Sequence, residues 1–106
     1  ITFAFSSPDK FYVLGDFLYE FTNGKNYKKY ILPKDFHQII KTPILNFWKG
    51  ELLINNKLSE KAFTFKEGTF KEFNFYNVPN FIQNTSISDG LVWFSTPNGI
   101  FKYENA

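Results

Sequence analysis

Apolar and polar residues alternate along this chain in short bursts, each closed by a dipeptide that readily reverses the backbone. The clearest case begins at Ser86. Asp89-Gly90 accepts positive φ and turns the chain, Leu91-Val92-Trp93-Phe94-Ser95 favours a pleated backbone, Asn98-Gly99 supplies a second reversal, and Ile100-Phe101-Lys102-Tyr103 returns. That reads as a meander of short antiparallel strands.

The same layout predicts strands over residues 1–6, 11–14, 17–21 and 26–32, with turns at Ser7-Pro8-Asp9-Lys10, Gly15-Asp16 and Thr22-Asn23-Gly24-Lys25. Residues 33–42 break the pattern and read as a connecting loop, in which Asp35-Phe36-His37-Gln38 has the composition for one helical turn. A second set of strands covers 43–48, 51–55, 62–66 and 69–76, turning at Lys49-Gly50 and Glu67-Gly68, with a longer connection over 56–61. After a second loop at 77–83, strands over 84–88, 91–95 and 100–104 make a third, incomplete set. Gly24 to Gly68 and Phe21 to Phe65 are both 44 residues apart, and Phe65 to Tyr103 is 38. Periods of about 40 residues with four strands each are the mark of propeller blades. The expected fold is therefore all-β: a β-propeller segment of four-stranded antiparallel blades, with complete blades over 1–32 and 43–76 and three strands of another over 84–104.

Burial patterning separates this from a two-layer sandwich. A sandwich strand hides one face and alternates, whereas a blade is covered on both sides by its neighbours and tolerates a continuous apolar run. Phe11-Tyr12-Val13-Leu14, Leu52-Leu53-Ile54 and Leu91-Val92-Trp93-Phe94 are continuous, and each is the second strand of its set. The fourth strands, around Tyr27-Lys28-Lys29-Tyr30 and Phe70-Lys71-Glu72-Phe73, mix charge with aromatic residues as solvent-facing edges do.

Composition changes this picture little. Fifteen Phe, six Tyr and two Trp in 106 residues, with no Met or Cys, make the packing material aromatic and β-branched, which favours sheet. The absence of Arg, together with abundant Lys, Asn, Phe and Ile, resembles the codon bias of an AT-rich genome, so the aromatic share carries less functional meaning than its size suggests. A missing Cys removes disulfides and thiolate chemistry. A net charge of +2 without a basic run argues against nucleic acid, and the lack of Arg removes the bidentate fork used by phosphate and guanine readers. No segment has the ~18–20 consecutive apolar residues of a membrane-spanning helix, and no signal peptide is apparent. The chain opens on Ile1, which points to a processed product or a piece of something longer.

Asp89-Gly90-Leu91-Val92-Trp93-Phe94-Ser95-Thr96, followed by Asn98-Gly99-Ile100-Phe101-Lys102-Tyr103, resembles the two-component regulator propeller repeat, with Ser95 where that family prefers Gly. The first two sets share the layout but lack the Trp and most of the consensus turns. The resemblance implies a sensor propeller in the periplasm or at the cell surface of a Gram-negative bacterium, sensing carbohydrate fragments. It also implies structural roles for Asp89, Gly90, Trp93, Thr96, Gly99 and Tyr103, with Trp93 wedged between blades and Thr96 at the strand end. Ser86-Ile87-Ser88-Asp89-Gly90-Leu91-Val92-Trp93 also nearly fits the Asp-box of sialidase-like propellers, but its acid falls one position late, and Asp-boxes are structural turns.

Little in the chain suggests catalysis. Most glycosidases need two positioned carboxyl groups, and the ten acids fall mostly in or beside predicted turns; the sialidase alternative needs an Arg cluster that the chain lacks. His37 is the only imidazole, which excludes a multi-histidine metal site within this chain, and no cofactor is expected. Candidate ligand contacts are Asp35 and His37 on the first connecting loop and Asn80, Phe81, Gln83 and Asn84 on the second, because such loops open on the propeller end that binds ligands. Their polar groups suit sugar hydroxyls, and Phe81 offers a stacking plane. Because an incomplete ring leaves apolar sheet faces uncovered, the expected partners are the remaining blades of a longer chain or other copies of itself, with an oligosaccharide as candidate ligand. The function expected is a non-enzymatic sensing or interaction propeller. The alternatives are a scaffold in an exported surface or secretion assembly, or a piece of a propeller lyase or glycosidase.

Overall fold

Alternating runs and reversals become three antiparallel sheets in a computed structural model, which describes residues 2–7, 9–57, 60–75 and 82–103. The first sheet runs β1 (Thr2–Ser7), β2 (Lys10–Leu14), β3 (Leu18–Thr22), β4 (Asn26–Tyr30) in sequential order. A short helix, α1 (Phe36–Ile39), precedes the second sheet, β5 (Pro43–Trp48), β6 (Glu51–Asn56), β7 (Lys61–Lys66), β8 (Thr69–Asn74). The third holds β9 (Asn84–Ser88), β10 (Leu91–Thr96) and β11 (Gly99–Lys102), with β10 in the centre. The first strand β1 lies against β5, and β5 against β9, so the sheets fan out from a common axis as blades. The fold is a β-propeller segment.

Turn chemistry fixes the registers. Lys49-Gly50, Glu67-Gly68 and Asp89-Gly90 each place two successive residues at positive φ, the mirror-image turn whose twist matches that of a two-residue hairpin. In consequence Phe21 stands opposite Phe11, Phe65 opposite Leu52, and the Tyr103 N–H reaches the Val92 carbonyl at 2.8 Å. The 44- and 38-residue offsets in the sequence thus correspond to one structural position repeated in three blades.

Two aromatic and aliphatic cores form, one on each face of the middle blade. On one side Leu52 and Ile54 of β6, with Leu45, Phe63 and Phe65, pack with Tyr12, Leu14 and Leu18 of the first blade. On the other, Leu53, with Trp48, Ala62 and Phe75, packs with Val92, Phe94 and Tyr103 of the third. Successive β6 side chains point to opposite faces, so one continuous run serves both interfaces. Rings link the blades further. Tyr12 meets Phe47 and Phe65 at 5.6 and 6.0 Å, and Tyr103 meets Phe75 edge-on at 4.8 Å. The Trp48 indole N–H crosses to the Gly90 carbonyl at 3.0 Å, tying the second blade to the turn of the third.

Three expectations need correction. Among the second strands, double-sided burial holds for β6 alone, where Leu52 to Asn56 are all buried; in β2 only Tyr12 and Leu14 are buried, and Leu91 in β10 is 39% exposed. Among the described residues, the first and third blades each pack against the middle one alone. The last reversal is Pro97-Asn98 rather than Asn98-Gly99: Gly99 pairs with Thr96, whose hydroxyl donates to the Gly99 carbonyl at 3.0 Å and accepts from the Asn98 N–H at 3.1 Å. β4 stops at Tyr30, after which Ile31 is exposed and Leu32 packs against the first core. Helix α1 forms in the 33–42 connection where Asp35-Phe36-His37-Gln38 has the composition for one helical turn, and the expected strand residues Tyr76 and Glu104 lie outside the described residues.

Truncation should report which strand is sandwiched. Leu53→Ala is expected to cost about 2–5 kcal/mol in urea-induced unfolding, because its cavity is walled on both sides, whereas Leu91→Ala should cost about 0.5 kcal/mol or less.

Candidate functional site

Helix α1 positions the sole histidine. Asp35 adopts a left-handed conformation (φ 62°), and its carbonyl accepts from the Gln38 and Ile39 N–H groups, both at 3.0 Å, which closes the helical turn. Phe36 and Ile40, 2% and 1% exposed, sink into the first core, with Phe36 meeting Phe63 at 5.3 Å. His37 follows Phe36 and is therefore turned outward, its ring perpendicular to Phe36 at 5.4 Å. Buried Asn56 fastens this segment to the second blade: its carbonyl oxygen accepts from the Thr42 N–H at 3.0 Å, and its amide donates to the Ile39 carbonyl at 3.2 Å.

Across from α1, the β2–β3 connection supplies Gly15 and Asp16, braced by a 3.0 Å bond from the Gly15 N–H to the Phe17 carbonyl. Thr2, Leu14, Gly15, Asp16, His37 and Pro43 together line a cleft of about 430 Å³ between the first two blades. Thr2 and Pro43 begin β1 and β5, and Leu14 ends β2, so the cleft sits at the blade end where the connecting loops emerge. Its chemistry is mixed. Asp16 brings a carboxylate acceptor, His37 an imidazole and Thr2 a hydroxyl, against apolar surface from Leu14 and Pro43.

Of the residues singled out from sequence, His37 alone lines this cleft; Asp35 is exposed at the helix start and makes no capping bond through its side chain. Gln83 and Asn84 are exposed at the start of the third blade, where the Gln83 N–H donates to the Ser95 carbonyl at 2.8 Å and the Asn84 side chain accepts from the Thr85 N–H at 2.9 Å. They are not brought to His37. Asn80 and Phe81 lie outside the described residues. Trp93 is half-buried on the face of β10 opposite Val92 and Phe94, the side on which a following blade would lie. Asp16 and Thr2 went unnoticed as ligand contacts because their meeting with His37 depends on blade stacking, which no local pattern encodes.

A second polar cluster, also missed, fills a groove of about 560 Å³ lined by Lys10, Tyr12, Glu20, Lys28, Tyr30, Lys66 and Glu67 among others. Tyr12 and Tyr30 both donate to the Glu20 carboxylate, and Lys10 stands 3.4 Å from it. Burial pushes the Tyr12 hydroxyl above the ordinary phenol range, and its bond to Glu20 pushes it further. Burial alone would raise Glu20, but the hydrogen bond from Tyr12 and the Lys10 and Lys28 charges together outweigh it and hold the carboxyl below its usual value. At neutral pH the pair is thus carboxylate and neutral phenol, which suits it to anchoring the blade and leaves it poor at proton transfer.

No family model and no curated protein matches the chain. A search of solved structures finds similarity to a chain described as "Streptogramin B lyase structure", with a TM-score of 0.62 and 14% identity, covering 97% of this chain and 39% of that one. This chain therefore spans about two-fifths of its structural neighbour, and the likeness is one of fold.

The titrations have a defined sign. Glu20 is lower in the folded than in the unfolded chain, so its stabilisation is present above its unfolded value and is lost as pH falls through the folded one. Tyr12 is raised, so its contribution is complete below the unfolded phenol value and disappears as pH climbs through the folded one. Thermal midpoints measured against pH should decline on the acid side, and Glu20→Gln should flatten that decline.

Proposed function

We propose that this chain is a non-enzymatic binding module: a propeller segment that presents the cleft between Asp16 and His37 to a neutral, hydroxyl-rich ligand such as an oligosaccharide fragment. The observation that carries this is the cleft itself, where a carboxylate, an imidazole and a hydroxyl converge beside apolar walls at the loop end of two blades. Sugars present alternating hydroxyls and apolar C–H faces, and mixed walls of this kind complement both. The resemblance of residues 89–103 to sensor propeller repeats supports a sensory setting, in the periplasm or at the surface of a Gram-negative bacterium. Ligand seated between the first two blades would contact both, so occupancy would stiffen their mutual packing. That is the physical step by which binding becomes a signal.

A lyase reading draws only on the neighbour's printed title. Calorimetric titration with a panel of neutral oligosaccharides separates the two readings. A binding module should show saturable heat with no product formed. Asp16→Ala and His37→Ala should each weaken binding about tenfold, as expected for one lost hydrogen bond of ~1.4 kcal/mol. Binding indifferent to both substitutions would refute the cleft, and turnover abolished by His37→Ala would favour the lyase reading.

A further inference from the structure

The groove of about 560 Å³ beside Glu20 lies between the first and second blades, on the side of the turns Lys49-Gly50 and Glu67-Gly68 and away from the cleft of Asp16 and His37. Both of its walls are four-stranded sheets that pack on one another, so it belongs to an interior boundary of the segment. Strand register builds the first wall. Tyr12 stands opposite Glu20, and Glu20 opposite Lys28. The corresponding row of the middle blade is Leu53, Thr64 and Lys71, which sets no carboxylate at the next boundary.

Hydrogen bonding sorts the groove by polarity. Tyr12 and Tyr30 each spend their phenol proton on Glu20, whose side chain is only 12% exposed, so these three groups turn nothing but acceptor oxygens toward the groove. At the rim, Lys28 of the first blade and Lys66 of the second are exposed ammonium donors, with Glu67 beside Lys66. Leu52 and Phe65 supply apolar lining. The chain itself shows which group the inner wall holds. The Lys10 ammonium stands 3.4 Å from the Glu20 carboxylate and 5.9 Å from the centre of the Tyr12 ring, on a side chain that is 43% exposed and long enough to swing outward.

We propose that this groove binds a free α-amino acid with an apolar side chain. Its ammonium takes the place of Lys10 against Glu20 and the two phenol oxygens, its carboxylate lies between Lys28 and Lys66, and its side chain rests on Leu52 and Phe65. A zwitterion matches the acceptors inside and the ammonium groups at the rim together. A simple anion would meet Glu20, and a simple cation would meet Lys28 and Lys66. Lys10 is then a built-in competitor that keeps the affinity in the millimolar range.

Amide chemical shifts of the 106-residue chain, titrated with L-leucine, test this. Saturable shifts are expected at Glu20, Tyr30 and Gly68, with Asp16 and His37 unmoved. Lys10→Gln should tighten binding several-fold by removing the competitor, and Lys66→Gln should weaken it several-fold. N-acetyl-L-leucine and L-leucine amide each lack one of the two charges and should bind about tenfold more weakly, the loss of ~1.4 kcal/mol. Glu20→Gln should abolish binding; if that variant loses its sheet circular dichroism, Lys10→Gln and the two analogues decide the matter on folded protein. The proposal is overturned by the absence of saturable shifts in both wild type and Lys10→Gln, by weaker binding in Lys10→Gln, or by either analogue binding as well as leucine. Shifts confined to Asp16 and His37 would overturn it too, by assigning leucine to the other cleft.

Discussion

Everything in this segment depends on the two-sided burial of one strand. β6 puts Leu52 and Ile54 into one core and Leu53 into the other, each 1% exposed or less. At ~25 cal/mol per Å² of apolar surface, burying three such side chains contributes several kcal/mol to a small domain of modest net stability. The gain exists only when a sheet lies on each side. Stacking of blades is therefore the source of stability here, and a single four-stranded meander from this chain would expose too much apolar surface to persist alone.

The same dependence explains where polarity is admitted. Between the second and third blades, buried Asn55 donates to the Thr85 hydroxyl at 2.9 Å and Asn46 donates to the Thr85 carbonyl at 3.0 Å. Between the first and second, Glu20 is held by two tyrosines and a lysine. Burying polar groups at a blade boundary costs desolvation; the Asn55 and Asn46 bonds to Thr85 cross the boundary and fix relative rotation where aliphatic packing alone would tolerate slip, whereas the bonds of Glu20 stay within the first blade. The ligand cleft benefits directly. Asn56 fastens α1 to the second blade while Gly15 and Asp16 belong to the first, so the spacing of His37 from Asp16 is set by how the two blades dock.

Much of the fold was legible because it is local. Dipeptides such as Asp89-Gly90 and Lys49-Gly50 dictate hairpins, and the recurrence of Phe21, Phe65 and Tyr103 marks one register position in each blade. What escaped was relational. The run Leu91-Val92-Trp93-Phe94 has the same composition as a doubly buried strand, yet the number of neighbouring sheets, which residue order does not encode, decides its exposure. Of the cleft, His37 could be picked out as a lone imidazole on a connecting loop, whereas Asp16 looked like any turn acid until the first blade brought it alongside.

Methyl and aromatic nuclear Overhauser contacts from β6 test the sandwich most directly. The account predicts that Leu53 sees Val92 and Phe94 while Leu52 and Ile54 see Tyr12 and Leu14, with no exchange of partners between the two sets. Contacts from adjacent β6 residues to the same neighbouring sheet would mean that the strand is covered on one side only, and stacked blades would then no longer describe this chain.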